Sequence, residues 1–555
     1  MIPTDLWTPA DGLILEPNAE RAVRESSENL ALTAGPGAGK TEMLAQRADF
    51  LLRTGTCRYP HRILAISFKT DACRNLKERV SRRCGPALSV RFDSYTFHGF
   101  AKRIIDRFRP ALTGRDRLDH DYTIGTERIE GRQITFGDLI PLATQIVENS
   151  KIARNAIQLT YRDVFLDEFQ DCTDSQYELI KAIFLDTQIR LTAVGDTKQR
   201  IMGWAGALDG IFQTFASDFN ATGLNMYRNF RSKPRLLRLQ NEIIKILDPA
   251  SVMPPDQLQG GAGEIHILNF ENSQEEAEVL ALMIASWIET EKIPLGEIAI
   301  LVSKQAELYT DKLVVALESH DIPIRNESQL QDPLSEPLTR LIVDYLLVVF
   351  GSRQPAGYIR LMNQILEIDF DDLDLADELK QKNDWNRFFQ SERKLVELDG
   401  GAKASFETVW SLIEKFIKRI GRRKIVALSP EYESTFRRKQ VFREAKEIIR
   451  KSLAMESNIE EAIGHLTDDQ AVKVLTIHKS KGLEFDTVII LGVENQNFWG
   501  THDEKLCAFF VGVSRAKKRL VMTCSSERPR PDGHTGTWHK FREPQEEFLG
   551  FAEGI

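Results

Sequence analysis

The sequence predicts an α/β protein with mostly parallel sheets, arranged as two α/β domains with a helical insertion. Three observations carry this. Short apolar runs alternate with longer amphipathic segments through the first half of the chain; the alternation restarts near Gly263; and a stretch without strand runs, 351–470, interrupts the second series.

In order along the chain, strands are expected at 29–33, 62–67, 163–167 and 190–195, where apolar residues cluster between turn-forming residues. Helices are expected at 41–52 and 71–82, after the first two of these strands. The second series reads as a strand at 264–268, a helix at 273–290, and strands at 297–302, 471–477, 486–491 and 519–523. Between the third and fourth of these elements, Val441, Phe442, Ala445, Ile448 and Ile449 fall on one face of a helix, which marks 351–470 as a helical subdomain. The domain scheme is therefore 1–262 with a short insertion at about 100–160, then 263–350 with 471–555, and 351–470 inserted between the last two.

Composition agrees with a globular chain. Of 555 residues, 42% are hydrophobic and 28% charged, which excludes a disordered, collagen-like or disulfide-scaffold protein. The longest apolar stretch, 341–350, is broken by Asp344 and falls short of the roughly 20 residues a bilayer span needs. Met1 to Trp7 carry an acid and no basic or apolar leader, so the expected location is the cytoplasm, with no membrane partner. Cys57, Cys73, Cys84, Cys172, Cys507 and Cys524 form no C-x-x-C pair, as expected of free thiols in a reducing compartment. Net charge is −8, yet His61 to His120 hold 14 Lys and Arg against 6 Asp and Glu, so an acidic total conceals a basic region.

The most specific chemical signal is Ala34-Gly35-Pro36-Gly37-Ala38-Gly39-Lys40-Thr41, placed between an expected strand and an expected helix. A phosphate chain needs converging backbone N–H groups, and a glycine-rich turn at a helix start supplies them without steric clash. Lys40 would reach the β and γ phosphates and Thr41 would hold Mg²⁺. The second signal is Val164-Phe165-Leu166-Asp167-Glu168, an apolar strand ending in two acids. One carboxylate, Asp167, can position the metal and the next, Glu168, can act as general base. Together they imply ATP or GTP hydrolysis, with Mg²⁺ as cofactor.

Further words narrow this. Asp167-Glu168-Phe169-Gln170-Asp171, Gly195-Asp196-Thr197-Lys198-Gln199, Gly203-Trp204-Ala205-Gly206-Ala207, Asn229-Phe230-Arg231-Ser232, Thr476-Ile477-His478-Lys479-Ser480-Lys481-Gly482-Leu483-Glu484-Phe485 and Val511-Gly512-Val513-Ser514-Arg515-Ala516 stand in that order. They resemble the helicase motifs of the UvrD/Rep/PcrA group of superfamily 1. Ser67-Phe68-Lys69-Thr70 and Thr96-Phe97-His98-Gly99 resemble that group's two DNA-contact motifs. The resemblance implies two RecA-like P-loop domains with parallel sheets, each with a reduced helical accessory subdomain inserted. It implies that Gln199 senses the γ-phosphate, that Arg231 and Arg515 reach it from across the cleft, that Phe230 stacks on adenine, that Glu484 lies near the ribose, and that Gly482 belongs to the nucleotide site. It also implies that Phe68, Thr96, His98, Trp204, Thr476 and His478 line a single-strand track, where aromatic faces suit any base.

Departures from the group's pattern are visible too. Ala19 occupies the position of its adenine-reading glutamine, and Met202 and Ala205 replace a tyrosine and an arginine beside Trp204. The stretches corresponding to its accessory subdomains are shorter than usual. The expected function is an ATP-dependent helicase or translocase on single-stranded DNA or a tailed duplex, of 3′ to 5′ polarity. The alternative is a DNA-sensing ATPase switch within a larger complex, such as a Gabija-like anti-phage system with a nuclease or other protein partner.

Two weaker features carry less. Asp369, Asp371, Asp372 and Asp374 lack the central glycine and closing glutamate of a calcium loop and read as a solvated acidic face. The cluster Lys418, Arg419, Arg422, Arg423 and Lys424 reads either as a contact for duplex backbone or a protein, or as solvated surface.

Overall fold

The computed structural model describes residues 1–555 except 69, 126, 201–207, 209, 327–335, 352–354, 368–374, 399–404, 430–431, 433–434, 456–457, 465–470 and 532–533. The acidic run at 369–374 and the Trp204 loop, with Met202 and Ala205, lie outside the described residues. The chain forms two compact units, one of Met1–Asn269, Ser480–Arg528 and His539–Ile555, the other of Phe270–Lys479 and Pro529–Trp538.

The strands in chain order are β1 (Leu30–Ala34), β2 (Arg62–Ser67), β3 (Phe92–Thr96), β4 (Leu118–Gly125), β5 (Gly131–Thr135), β6 (Tyr161–Leu166), β7 (Arg190–Gly195), β8 (Thr222–Met226), β9 (Glu264–Asn272), β10 (Ile298–Val302), β11 (Ile324–Asn326), β12 (Val472–Thr476), β13 (Phe485–Ile490) and β14 (Ala516–Glu527). In the first unit, six of them form a sheet in the order β3-β2-β6-β7-β1-β8. All of its pairings are parallel, for example Leu30↔Thr192 and Ile63↔Asp163.

Parallel strands covered on both sides are apolar on both faces, and this sheet shows why. Ala31, Leu64, Ile66, Val164, Leu166 and Leu191 point into one core. Their neighbours Leu30, Leu32, Ile63, Ala65, Phe165 and Val194 point into another on the opposite face. The helices Lys40–Arg53 and Thr70–Cys84 follow β1 and β2, as the amphipathic segments predict. At the strand starts, Arg190 binds Asp163 through two bonds of 2.7 and 2.8 Å, pinning β7 to β6.

The region between β3 and β6 corrects an expectation. It is not purely helical: β4 and β5 pair with each other, and helices Phe97–Phe108 and Leu139–Asn149 share one core with the sheet. The sequence reading also passes over β3, β8 and β11. Each stands at the end of the strand order given for its sheet, where one side is unpaired and polar residues such as Asp93, Ser94 and Asn225 are tolerated. The first unit also holds β13 and β14, which pair in parallel, Val488 against Leu520.

In the second unit, β10 and β11 each pair in parallel with β12. Its helices Pro337–Phe350, Leu375–Leu398, Phe406–Ala427 and Thr435–Met455 enclose an aromatic-rich core. Tyr345 stacks on Phe416 with ring centroids 4.0 Å apart, and Trp385 meets Phe416 edge-on at 6.0 Å. Val441, Ala445 and Ile449 are buried, as their spacing predicts. Among the described residues no helix is long and apolar enough to cross a membrane.

Candidate nucleotide site

The site lies in the first unit and begins where β1 ends. The turn Gly35–Gly39 feeds the helix Lys40–Arg53, whose N-cap is Gly39 at φ 82°; Gly37 lies at φ 69°. Both need the left-handed backbone that glycine adopts freely. At Gly37 a Cβ would also come 2.5 Å from Asn229 Oδ1 and 2.6 Å from Arg231 Cβ. The close approach is fixed by the Phe230 N–H, which donates to the Gly37 carbonyl at 2.9 Å. At Gly35 and Gly39, in contrast, a Cβ would meet nothing within 4 Å. The turn is thus tight behind and open in front, a cradle at the positive end of a helix dipole that fits a phosphate chain.

Lys40 is half-buried, with Nζ 3.4 Å from the Ala34 carbonyl. Its charge favours ionisation of three acids, Asp167, Glu168 and Asp196. Asp167 follows β6 and is buried, its N–H extending the ladder to the Ile66 carbonyl at 2.9 Å. Burial and the adjacent Glu168 push its carboxyl upward. Burial also opposes charge on Glu168, but Lys40, Lys481, a bond from Gln170 Nε2 at 2.6 Å and Arg515 outweigh it and hold this carboxyl low. Glu168 sits in left-handed backbone at φ 50°, rare for a residue with a side chain and frequent at working sites. The hydroxyl of Thr41 and the carboxylate of Asp167 are hard oxygen donors of the type Mg²⁺ takes alongside phosphate. Among the described residues no group of three or more His, Cys, Asp or Glu could hold a metal by itself.

Gln170 links these acids to the next loop, its Oε1 accepting the Asp196 N–H at 3.0 Å. A Cβ at Gly195 would overlap that same oxygen, so glycine is required there. Asp196, fully buried, accepts from Gln199 Nε2 at 2.8 Å, and Gln199 Oε1 accepts from Arg515 Nη2 at 2.8 Å. Arg515 also donates to the carbonyls of Val511 at 2.9 Å and Leu483 at 3.1 Å. Arg231 donates to Glu484 Oε2 at 2.7 Å and to the Ser514 carbonyl at 3.0 Å. Phe230 is exposed, with the Arg228 guanidinium 5.0 Å from its ring centroid. Gly482 stands at φ 91°.

Within one unit, therefore, the fold gathers Lys40, Asp167, Glu168, Gln199, Arg231, Arg515 and Glu484, named from sequence. It adds a pair that the reading did not single out: Lys481 Nζ bonds Asp171 Oδ2 at 2.6 Å and the Gln199 carbonyl at 2.8 Å. Both lie inside motif words quoted above. Their opposite charge was the available signal, but nothing in a linear pattern joins residues 310 apart.

Five of the six residues expected along a strand track are described. Phe68 is partly buried and meets Phe97 edge-on at 5.4 Å. The Thr96 hydroxyl caps the helix Phe97–Phe108, accepting the Gly99 N–H at 3.0 Å. His98 stacks on Phe136 with centroids 4.1 Å apart, and burial holds its imidazole below the usual range. Thr476 ends β12 in the second unit, where its hydroxyl accepts the Lys479 N–H at 3.3 Å; His478 follows there. Trp204 lies outside the described residues.

Residues 15–130 and 120–220 match the UvrD/REP helicase N-terminal domain, and residues 224–364 and 377–527 the UvrD-like helicase C-terminal domain. The chain is 24% identical to a probable DNA helicase II homolog of Mycoplasma genitalium, over 88% of this chain and 82% of that protein. It is 23% identical to the ATP-dependent DNA helicase PcrA of Bacillus subtilis, over 93% and 83% respectively. Identity to the ATP-dependent DNA helicase Rep of Escherichia coli is 23%, over 93% and 91%. A phosphate cradle, paired acids and opposed arginines in one unit, with family matches on both halves, lead to one assignment: the chain belongs to the UvrD/REP helicase family of superfamily 1 and is an ATP hydrolase.

Proposed function

We propose that the protein uses ATP hydrolysis to move along single-stranded DNA from 3′ to 5′ and to separate strands as it moves. The observation that carries this reading is the bond between Gln199 and Arg515, 316 residues apart, beside the P-loop and the acid pair. Phosphoryl transfer spreads negative charge over oxygens, and planar guanidinium groups neutralise it best. In this reading Lys40 binds the β and γ phosphates over the turn of Gly35, Gly37 and Gly39. Thr41 and Asp167 would hold Mg²⁺, which would supply charge to screen the phosphates. Glu168 accepts the proton of the attacking water, Gln199 senses the γ-phosphate, and Arg231 and Arg515 neutralise the transferred group. Phe230 stacks on the base, with Glu484 near the ribose and Gly482 beside the nucleotide. Phe68, Thr96, His98, Trp204, Thr476 and His478 contact the strand. The domains in this proposal are 1–262, 263–350 with 471–555, and the inserted 351–470, and the working location is the cytoplasm.

A strand-displacement assay on 3′-tailed, 5′-tailed and blunt DNA, with matching RNA, tests it. The expected result is ATP-driven opening of 3′-tailed DNA that Lys40→Ala abolishes while leaving the fold intact. One observation favours the switch as a second reading: an alignment of 628 positions takes up only 93% of this 555-residue chain, so the PcrA relative carries segments that this chain lacks. DNA-stimulated ATP hydrolysis without opening of any substrate would select it.

A further inference from the structure

We propose that Lys198 is a positioning residue of the hydrolytic site, which holds Asp196 and through it orients Gln199; this rests on the ATPase reading above. Lys198 is 2% exposed, an unusual place for an ammonium that is not paired. Nζ lies 3.0 Å from Asp196 Oδ1 and 3.7 Å from Asp248 Oδ2, between two carboxylates. Asp248 caps the end of the helix Pro234–Leu247 and accepts from Thr197 Oγ1 at 3.1 Å and Ser251 Oγ at 2.6 Å. It is thus a fixed outer anchor for the lysine.

The inner end of the chain reaches the chemistry. Asp196 Oδ1 also accepts the Lys198 N–H at 3.2 Å, and Oδ2 takes Gln199 Nε2 at 2.8 Å. With its NH₂ group held by a carboxylate, the Gln199 amide must turn Oε1 outward, where it meets Arg515 Nη2 at 2.8 Å. Rotation of the amide would set donor against donor. Asp196 therefore fixes which way Gln199 points.

Two cations support that charge, Lys198 and Lys40, against the burial that opposes it. Lys40 is shared: it also serves Asp167 and Glu168, and in the proposed reaction it turns to the phosphates. Lys198 instead lies between Asp196 and Asp248. It makes no aligned hydrogen bond through Nζ and lines a cavity of about 20 Å³ together with Gly35, Pro36, Asn229 and Gln240, behind the P-loop. That space has room for a water molecule. Lys198 is the cation that stays with Asp196 throughout turnover.

Steady-state ATPase of the full chain, with and without an oligothymidylate, tests this on Lys198→Met and Lys198→Gln, alongside thermal melting. Gln keeps a donor toward Asp196 and guards against misfolding of the Met variant. Both are expected to lower kcat about 10- to 100-fold, the usual cost of losing a supporting partner, with KM for ATP nearly unchanged. A wild-type kcat in either folded variant overturns the proposal. So does parallel loss of kcat and ATP binding, or failure of both variants to fold, since the lysine would then be merely structural. A wild-type chain that hydrolyses no ATP refutes the ATPase reading instead.

Discussion

At Arg515 burial and bonding compete. The side chain is 1% exposed, and burial together with the nearby Arg231 lowers its proton affinity to a pKa of about 9. It nonetheless stays charged at neutral pH and donates to two carbonyls, Gln199 Oε1 and Ser514 Oγ. Only a planar fork reaches so many acceptors at once. Arg515→Lys, which keeps a charge, should therefore lose turnover by about 10³-fold, the low end for an arginine finger. Steady-state kinetics check this; a loss confined to KM would make Arg515 a binding residue. Glu168→Gln should retain nucleotide binding and lose hydrolysis, because an amide cannot accept the proton of water. Binding of a fluorescent nucleotide measured beside ATPase decides it, and equal loss of both counts against the role. At this scale the sequence identified residue types well, since Lys40, Asp167 and Glu168 stand in short words whose chemistry is local. It could not identify Lys481 and Asp171 as partners, or Lys198 as a buried ion, because burial and pairing belong to the fold.

Between β1 and its helix the glycines differ in what they permit. Gly37 faces a packed segment and Gly39 faces open space, though both have left-handed backbone. Gly39→Ala should cost only the backbone strain, about 1 to 2 kcal/mol. Gly37→Ala adds overlap with Asn229 and Arg231 and should cost about 1 to 3 kcal/mol more. Denaturant midpoints of the nucleotide-free variants compare them directly, and equal losses would mean that the 229–231 segment yields. Periodicity exposed the central strands because residues buried on both faces are apolar throughout, as in β2 and β7, whose predicted bounds coincide with those observed. It missed β3 and β8, where Asp93, Ser94, Gly223 and Asn225 are tolerated because one edge lacks a partner strand. The Thr96 hydroxyl, expected at the strand, also serves as a helix cap.

For the whole molecule the central question is coupling between nucleotide and strand. Gln199 and Trp204 are five positions apart in the sequence, so the residue expected at the γ-phosphate and the residue expected at the strand are near neighbours along the chain. Trp204→Ala should keep DNA-independent ATPase, weaken single-strand binding roughly fivefold to 150-fold, and lose most stimulation by DNA. Melting temperature measured with ATPase, with and without an oligonucleotide, checks this: a large fall in melting temperature, or unchanged stimulation, identifies a core tryptophan instead. By itself the sequence determined the α/β class, the P-loop with its acid pair, and the family, because these rest on local periodicity and on contiguous words whose chemistry needs no neighbour. Only the tertiary structure decided that Arg515, Lys481 and Arg231 meet Gln199, Asp171 and Glu484 within one unit, that the region before β6 shares the sheet's core, and that Lys198 is sealed between two carboxylates. The physical reason is that burial and long-range ion pairing arise from how strands and helices stack, and charges separated by hundreds of residues carry no linear sign of the partner that packing will bring to them.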